Sequence, residues 1–374
     1  MNSRIHNAVR DALSLVRQSN VGDATAVIRE ALSTDKIDLQ SKKSTSKPRR
    51  ISSPGLSISY DSATAPEPTE PRHASRHEEI RKSVLKKVRS NPKSPGSFTS
   101  RKYRHVERDL SYMLYVPAQN SAHERSLLLM LHGCTQNPND FARGTQMNAL
   151  ADEFNFIVAY PLQPPTANAS GCWNWFDSRH QKHGSGEPAM LAGLADNLKH
   201  EFNVSETRVF VAGLSAGGAM AEVLGTTYPK LFAGVGVHSG LPHGAATSLG
   251  NALSAMKGSI KTELDHGDKT QGRSRRIVFH GSSDATVHPS NGAHILEQAR
   301  RFSRKLKEVT FTEKINGREV TRTILEDDNG CAMVELWVVK GGGHAWFGGN
   351  TQGSYTDQKG PDASREMVRF FIQV

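Results

Sequence analysis

The sequence predicts an α/β fold, in which helices cover both faces of a mostly parallel β-sheet, preceded by a short helical segment and a disordered linker. Two observations carry this prediction. Apolar runs alternate with helical patterns from residue 105 onward, and the first hundred residues differ from the rest in charge and composition. We therefore divide the 374 residues into a helical segment at 1–33, a linker at 34–104 and a folded domain at 105–374.

The first segment carries apolar residues at nearly helical spacing, between residues 5 and 16 and again between residues 26 and 32. Asn20 and Gly22 interrupt that spacing. The pattern predicts two short helices.

The linker prediction rests on a turn to Ser, Pro, Lys and Arg, as in SKKSTSKPRR, APEPTEP and SNPKSPGS. Such segments bury too little apolar area to offset the entropy of ordering, so we expect disorder. Residues 1–100 carry 18 Lys and Arg against 10 Asp and Glu, and therefore most of the net charge of +10. A solvated tail is one interpretation, and an arm that weakly contacts a polyanion or a granule surface is the other.

Composition excludes several classes of protein. No zinc-finger spacing or aromatic-rich motif indicates a specific nucleic-acid partner. No apolar run approaches the ~18 residues of a membrane span, and the start MNSRIHNAVRDALSLVRQ has polar breaks where an export signal needs an apolar core. The three cysteines contain no CxxC pair, so we expect no metal or redox site.

The folded domain alternates strand patterns with helical ones. Strand candidates end in loops, and repeated strand-helix order is typical of a parallel sheet. The strand candidates are SYMLYVP, SLLLMLHG, FIVAYP, RVFVAGLS, GVGVHSG, RRIVFHGS and AMVELWVVKGGG, and the helix candidates are LADEF, AMLAGLADNLKHEF, AMAEVLGTTYP, AHILEQARRFSRKL and SREMVRFFIQ.

The strongest local motif is a glycine-flanked serine at the end of one strand candidate. RVFVA leads into Gly213-Leu214-Ser215-Ala216-Gly217 and then directly into a helical pattern. G-x-S-x-G between strand and helix is the nucleophile elbow of the α/β-hydrolase fold, in which small flanking residues let the serine Oγ project. Ser215 is the candidate nucleophile, and an ordinary glycine-rich turn is the alternative.

A serine nucleophile needs an acid and a base, which follow it in this fold in the order Asp or Glu, then His. Asp284 follows the strand candidate RRIVFHGS, at the strand end where open parallel sheets place ligand-binding groups. We interpret Asp284 as the acid that orients the histidine. The alternative is a turn-forming aspartate in GSSDATV.

His344 is the candidate base, because it follows a later strand candidate inside a flexible Gly341-Gly342-Gly343 loop. The chain has 16 histidines, so other rings compete for this role. His280 and His288 lie beside Asp284 instead of on a later strand end, and His238 and His243 precede the acid.

Acyl transfer also needs N–H donors aimed at the oxyanion of the tetrahedral intermediate. The sequence His132-Gly133-Cys134 follows an early apolar strand, as the oxyanion loop does in this fold. We assign the backbone N–H groups of Cys134 and Ala216 to this role. Cys134 as a nucleophile in its own right is the alternative, which the serine elbow disfavours.

Three tryptophans are candidate substrate contacts. Trp173 and Trp175 lie in the polar segment GCWNWFD, where their rings either cap the core or form a wall facing the substrate. Trp346 follows His344 by two residues and is the better candidate for contact.

Taken together, these motifs resemble the polyhydroxyalkanoate (PHB) depolymerase esterases, which are related to feruloyl and acetylxylan esterases. The matching motifs are HGCTQ at 132–136, CWNWF at 172–176, GLSAGGAM at 213–220, HGSSDATV at 280–287 and GGGHAWFGG at 341–349. The resemblance covers about residues 105–374 and implies the same triad, Ser215, Asp284 and His344, with an oxyanion contribution at Cys134.

The resemblance implies a serine esterase that cleaves short-chain poly(3-hydroxyalkanoate) or its oligomers through an acyl-enzyme, without a cofactor. A feruloyl or acetylxylan esterase is the alternative within the class. A non-catalytic protein that docks on a polyanion or granule is the alternative from another class. Secreted members of the family imply an extracellular location, whereas the lack of a visible export signal points to the cytoplasm; no recognisable substrate-binding module follows His344.

The pairing of Cys134 and Cys172 stays open at this stage. The two residues lie on neighbouring loops in this interpretation, so an oxidising compartment would favour a disulfide between them.

Overall fold

The computed structural model describes residue 79 and residues 96–118, 125–259, 274–302 and 305–372. The helical segment predicted at 1–33 lies outside these residues, as does most of the linker predicted at 34–104. The linker prediction is wrong at its carboxyl end, where strand β1 covers Ser97–Arg104. β1 pairs along its whole length with β2 (Asp109–Val116), and this ladder satisfies the backbone of an edge strand whose side chains are mostly polar.

The central sheet has ten strands in the order β1-β2-β4-β3-β5-β6-β7-β10-β9-β8. The six strands from β4 to β10 in that order are parallel to one another, and antiparallel strands flank them on both sides. The remaining bounds are β3 Ser126–Leu131, β4 Phe156–Pro161, β5 Val209–Leu214, β6 Gly234–His238, β7 Arg275–Gly281, β8 Lys307–Ile315, β9 Arg318–Glu326 and β10 Ala332–Val339.

The parallel strands are buried on both faces, which is why they read as continuous apolar runs. Alternate side chains enter two separate cores. Leu127 and Leu129 of β3 belong to one core, whereas Leu128 and Met130 belong to the other. The period of two along each strand therefore builds a core on either side of the sheet.

Helices cover both faces. The bounds are α1 Pro138–Thr145, α2 Met147–Phe154, α3 Gly186–Glu201, α4 Ala216–Thr227, α5 Leu249–Met256, α6 Ser290–Phe302 and α7 Ala363–Ile372. Helices α3, α4, α5 and α6 contribute to the core that contains Leu127, and α1, α2 and α7 contribute to the core that contains Leu128. The predicted three-layer α/β fold is confirmed.

The β8–β9 hairpin was not among the predicted strands. Asn316 and Gly317 connect the two strands with φ of 42° and 80°. Positive φ at both positions fits the two-residue turn that joins twisted antiparallel strands, and Asn-Gly is its preferred sequence. The signal was present in the sequence as TEKINGREVT.

The carboxyl ends of the parallel strands share one edge of the sheet, which is where open parallel sheets place ligand sites. A two-stranded parallel pair, β11 (Trp346–Phe347) and β12 (Thr356–Asp357), lies in the segment after β10. The loops that carry the candidate residues all begin at this edge.

Candidate active site

Ser215 lies in a strained turn between β5 and α4. Its φ of 56° and ψ of −118° fall outside the regions that L-residues normally occupy. A Cβ at Gly217 would lie 2.0 Å from the carbonyl oxygen of Leu131, and a Cβ at Gly213 would lie 2.4 Å from the Gly217 backbone. Both glycines are therefore needed for β5 and α4 to approach β3 this closely, as the elbow prediction requires.

Asp284 and His344 form a hydrogen-bonded pair. His344 Nδ1 lies 2.8 Å from Asp284 Oδ2, and the other carboxylate oxygen accepts the N–H groups of Thr286 at 2.9 Å and Val287 at 2.8 Å. The Asp284 side chain is fully buried, whereas the His344 side chain keeps 12% of its surface exposed. The structure thus brings together the acid and the histidine that the sequence order predicts.

The electrostatics of this pair favour an ionised Asp284. Burial pushes the pKa of Asp284 upward, but the hydrogen bond and charge of His344 and the N–H of Val287 outweigh burial, so the pKa lies below its ordinary value. A carboxylate that accepts from Nδ1 fixes the ring tautomer and leaves Nε2 as the basic nitrogen. His344 is thereby prepared to accept a proton.

Backbone contacts join the loops that carry Asp284 and His344. Ser282 N–H donates to Val339 O and Ser283 N–H donates to Gly342 O, both at 2.9 Å. A Cβ at Gly281 would lie 2.2 Å from Gly342 O, so this close approach needs a glycine. Arg318 adds a brace from the β8–β9 turn, donating to Gly341 O at 2.6 Å.

His238, at the end of β6, links the serine turn to the histidine loop. Its carbonyl oxygen accepts the N–H of Ser215 at 2.9 Å, and its Nε2 accepts the N–H of Phe347 at 3.1 Å. Burial, and then the neighbouring rings of His280 and His344, hold the pKa of His238 well below its ordinary value. We weighed His238 as a base, but its geometry is that of a neutral residue that positions two loops.

Ser215 Oγ and His344 do not form a hydrogen bond with each other within the described part of the chain. Catalytic hydrogen bonds are often long in the absence of substrate and tighten in the complex. The serine turn and the histidine loop each form a hydrogen bond with His238. The partly exposed His344 and the strained Ser215 therefore lie at the same edge of the sheet.

The loop after β3 passes directly beside Ser215. A Cβ at Gly133 would lie 3.6 Å from the Cβ of Ser215, so Gly133, the residue before Cys134, lies beside the serine. Ala216 is the first residue of α4, where backbone N–H groups lack helical partners and the helix dipole is positive. Gln136, which sequence reasoning missed, accepts the N–H of Gly133 at 2.9 Å through its side-chain oxygen.

Cys134 and Cys172 form a disulfide, with their Cα atoms 4.3 Å apart, and Cys331 is a free cysteine. The bridge was left open by the sequence. It ties the loop beside Ser215 to the segment that follows β4, and Thr135 N–H adds a hydrogen bond to Ser170 O at 2.8 Å. Cys134 consequently has no thiol with which to act as a nucleophile.

The prediction that three tryptophans contact substrate is wrong. Trp173 is fully buried, and Trp175 and Trp346 are 5% and 1% exposed. Trp173 packs against the ring of His132, while Trp346 donates from Nε1 to Ser364 Oγ at 3.0 Å. The three rings pack into the core although the sequence around them is polar, because burying a large aromatic ring removes much apolar surface from water.

A buried polar network supports the segment that carries Trp173. Glu187 is 4% exposed, and its carboxylate accepts from Asn174 N–H and Asn174 Nδ2, both at 2.7 Å, and from Gln163. Gln163 N–H donates in turn to His132 Nε2 at 3.2 Å. Sequence reasoning had no signal for this network, because its members are distant in the chain.

The described residues hold no group of three or more His, Cys, Asp or Glu side chains arranged to bind a metal ion. Among the helices that the structure describes, none combines the length and the apolar character that a bilayer crossing requires.

Comparison with known proteins identifies the family. Residues 110–312, more than half of the chain, match the family described as Esterase PHB depolymerase. The chain belongs to this family. The resemblance drawn from the five motifs is therefore confirmed.

Members of the esterase PHB depolymerase family and related esterases are similar to this chain over its folded domain. Poly(3-hydroxyalkanoate) depolymerase C of Paucimonas lemoignei is 31% identical over 245 residues, covering 63% of this chain and 58% of that protein. Acetylxylan esterase A of Emericella nidulans is 30% identical over 198 residues, covering 49% and 64%. This chain thus spans about half to two thirds of the length of the curated relatives it matches.

A solved structure supports the same fold. An acetyl xylan esterase from Aspergillus awamori superposes with a TM-score of 0.57 at 25% identity, covering 67% of this chain and 94% of that one. The predicted α/β-hydrolase fold is confirmed.

Proposed function

We propose that this chain hydrolyses carboxylic esters through an acyl-enzyme on Ser215. The observation that carries the proposal is the 2.8 Å hydrogen bond between His344 Nδ1 and the buried carboxylate of Asp284, on the strand edge that holds the strained serine. Family membership supports the reaction class.

In the proposed mechanism, His344 Nε2 accepts the Ser215 proton as Oγ attacks the ester carbonyl carbon. Asp284 holds the ring and stabilises its charged form. The N–H groups of Cys134 and Ala216 donate to the oxyanion of the tetrahedral intermediate. The proton on His344 then passes to the departing alcohol, and a water molecule hydrolyses the acyl-enzyme by the same route.

Replacing Ser215 with alanine tests the proposal. We expect Ser215→Ala to lower turnover of p-nitrophenyl butyrate by about four to six orders of magnitude with the fold intact, since triad members act as a unit. Ser205→Ala is the matched control, because Ser205 precedes β5 at the opposite end of that strand. Near-normal activity of Ser215→Ala, or an equal loss in Ser205→Ala, would remove Ser215 from the mechanism.

The proposed substrate is a short-chain poly(3-hydroxyalkanoate) or its oligomers. The 31% identity with a poly(3-hydroxyalkanoate) depolymerase over 245 residues supports this choice. An acetylxylan or feruloyl esterase activity is the second candidate, which the structural match to an acetyl xylan esterase favours. Hydroxybutyrate oligomers, acetylated xylan and methyl ferulate, each assayed with wild type and Ser215→Ala, separate the two.

We infer an oxidising, extracellular site of action. The Cys134–Cys172 disulfide supports it, since such bonds persist outside the reducing cytosol. Thiol counting on the purified, denatured protein tests the pairing: one reactive thiol is expected, and three would contradict it.

A granule or polyanion surface is the proposed partner of the basic residues 1–100, on the strength of their excess of Lys and Arg. Cosedimentation of the full chain with polymer granules should weaken steeply as salt is raised, because charge-driven binding is screened. Salt-independent cosedimentation would exclude this contact.

A further inference from the structure

Tyr355 is a large aromatic side chain left 48% exposed next to the proposed catalytic loops. Its carbonyl oxygen accepts the N–H of Trp346 at 2.7 Å, two residues after His344. Its hydroxyl lies 3.1 Å from Thr135 Oγ1, in the residue after Cys134. Tyr355 therefore touches both the histidine loop and the loop beside Ser215.

The direction of the hydroxyl hydrogen bonds follows from the acceptors. Thr135 Oγ1 donates to the carbonyl oxygen of Cys134 at 2.6 Å, so its single proton is already engaged. The Tyr355 hydroxyl is then the donor and Thr135 the acceptor. A chain of two hydrogen bonds runs from the ring to Cys134, the residue that supplies an oxyanion N–H in the proposed mechanism.

The segment that carries Tyr355 is held rigidly. Ser354 N–H and Oγ donate to the two carboxylate oxygens of Asp140 at 3.0 and 2.6 Å. Gln136 Nε2 donates to Ser354 O at 3.1 Å, and the same amide accepts the N–H of Gly133. The ring of Tyr355 is thus exposed, whereas the backbone next to it is fixed by hydrogen bonds.

Tyr355 and its neighbours in this contact are among the described non-glycine residues with positive φ. Tyr355 and Thr135 have φ of 52° and 64°, in the left-handed region that favours glycine, and Ser215 has a φ of 56°. Strained non-glycine residues concentrate where the surroundings impose a conformation for function. An exposed aromatic ring gains little stability from burial, so its presence at a strained position needs another reason.

We propose that Tyr355, oriented by Thr135, forms the wall of the ester-binding cleft beside the oxyanion loop and contacts the chain of the bound ester. The ring selects esters whose chain is long enough to reach it. This role rests on the proposed esterase function and takes the place that the buried tryptophans do not fill.

The test compares a variant that lacks the ring with one that keeps it. Tyr355→Gly removes the ring and suits the left-handed backbone. Tyr355→Phe keeps the ring and removes only the hydroxyl. The measured quantity is the ratio of kcat/KM for p-nitrophenyl octanoate to kcat/KM for p-nitrophenyl acetate.

We expect this ratio to fall about tenfold in Tyr355→Gly, the size of one lost aromatic contact, through a higher KM for octanoate. Tyr355→Phe should keep the ratio within about twofold of wild type. Thr135→Val should lower kcat for both esters through the lost hydrogen bond to Cys134 while changing the ratio little. Thr312→Val is the matched control. Thr312 lies on the edge strand β8, and its hydroxyl pairs with the hydroxyl of Thr321.

An unchanged ratio in Tyr355→Gly overturns the inference, as does an equal loss of kcat for both esters, which would indicate a purely structural role. Tyr355→Asn gives the same expectation should the glycine variant fold poorly, since asparagine tolerates this backbone. Titration of wild type with diethyl p-nitrophenyl phosphate, which phosphorylates reactive serines, separates the proposed esterase function from the proposed role of Tyr355. A wild type that neither releases p-nitrophenol nor hydrolyses esters contradicts the proposed function, whereas an active wild type with an unaltered variant ratio contradicts only the role of Tyr355.

Discussion

At the scale of one residue, the contacts of Asp284 support the proton transfer that we propose for His344. Two backbone N–H groups occupy one carboxylate oxygen, which leaves the other to receive His344 Nδ1. Each oxygen therefore has one defined task. The depressed pKa of Asp284 keeps the carboxylate charged where a charged histidine develops beside it.

Asp284→Asn is expected to lower kcat about 10³- to 10⁴-fold. The carbonyl oxygen of the amide would take the two backbone N–H groups, so its NH₂ would face His344 Nδ1 and favour the tautomer with the proton on Nε2. That tautomer cannot accept a proton from Ser215. Steady-state kinetics with p-nitrophenyl butyrate measure the effect.

Asp196→Asn on helix α3 provides the control, since Asp196 is half exposed and its ion pairs within the described part of the chain are with Lys199 and His200 on its own helix. An activity of Asp284→Asn within tenfold of wild type would contradict the role of Asp284.

Single residues differed in how well the sequence revealed them. The positions of Ser215, Asp284 and His344 at one edge of the sheet were predictable, because strand ends and chain order constrain where this fold places such groups. The direction of a ring is not constrained in this way, so Trp346 was assigned to substrate although it packs under His238. Tyr355 went unnoticed because its position depends on a strained backbone, which composition does not reveal.

At the scale of elements, a disulfide and hydrogen bonds connect the loops at the carboxyl edge of the sheet directly to one another. The disulfide joins the loop at residues 132–136 to the segment that contains Cys172, and Arg318 bridges Gly341 O and Asp357 across two further loops. Such cross-links hold N–H donors in place before substrate arrives, which is how oxyanion stabilisation becomes effective.

Cys172→Ala is expected to lower both stability and turnover. The bridge closes a loop of 38 residues, so its loss should reduce the free energy of unfolding by about 3–4 kcal/mol if chain entropy dominates. A less rigid Cys134 N–H should also reduce kcat by about tenfold. Urea unfolding and steady-state kinetics measure the two effects.

Cys331→Ala is the matched control, because Cys331 is the free cysteine in the structure. Equal effects of the two substitutions would show that the bridge contributes nothing specific to the site.

Elements were predicted well where burial produced a long apolar run, as in β3 to β7. They were missed where strands are half exposed. β1, β8 and β9 alternate polar and apolar residues and carry many charges, so their strand character comes from pairing with a neighbour. Ser97–Arg104, which the linker prediction included, is therefore a strand of the sheet.

At the scale of the whole molecule, three buried neutral histidines make stability depend on pH. His132, His238 and His280 are fully buried, and desolvation lowers the pKa of each below its ordinary value. His132 Nε2 and His238 Nε2 accept backbone N–H groups, which requires unprotonated nitrogens. The fold is thus built around uncharged rings close to the proposed active site.

The free energy of unfolding is expected to fall as pH decreases from 7.5 to 5.5. In the unfolded chain these histidines take up protons near pH 6.5, whereas in the folded protein they do so only at lower pH. Between those values the unfolded state binds more protons, so stability is present above about pH 6.5 and is lost below it. The slope reaches about 1.4 kcal/mol per pH unit for each histidine, measured by urea unfolding at several pH values.

His238→Gln should reduce that slope by up to one histidine's share, since the glutamine oxygen can accept the Phe347 N–H without titrating. His200→Gln is the matched control: the His200 side chain is 73% exposed, so its surroundings change little on unfolding. A wild-type stability that stays flat between pH 7.5 and 5.5 would contradict this account. An equal change of slope in both variants would contradict it as well, because burial is the physical cause of the effect.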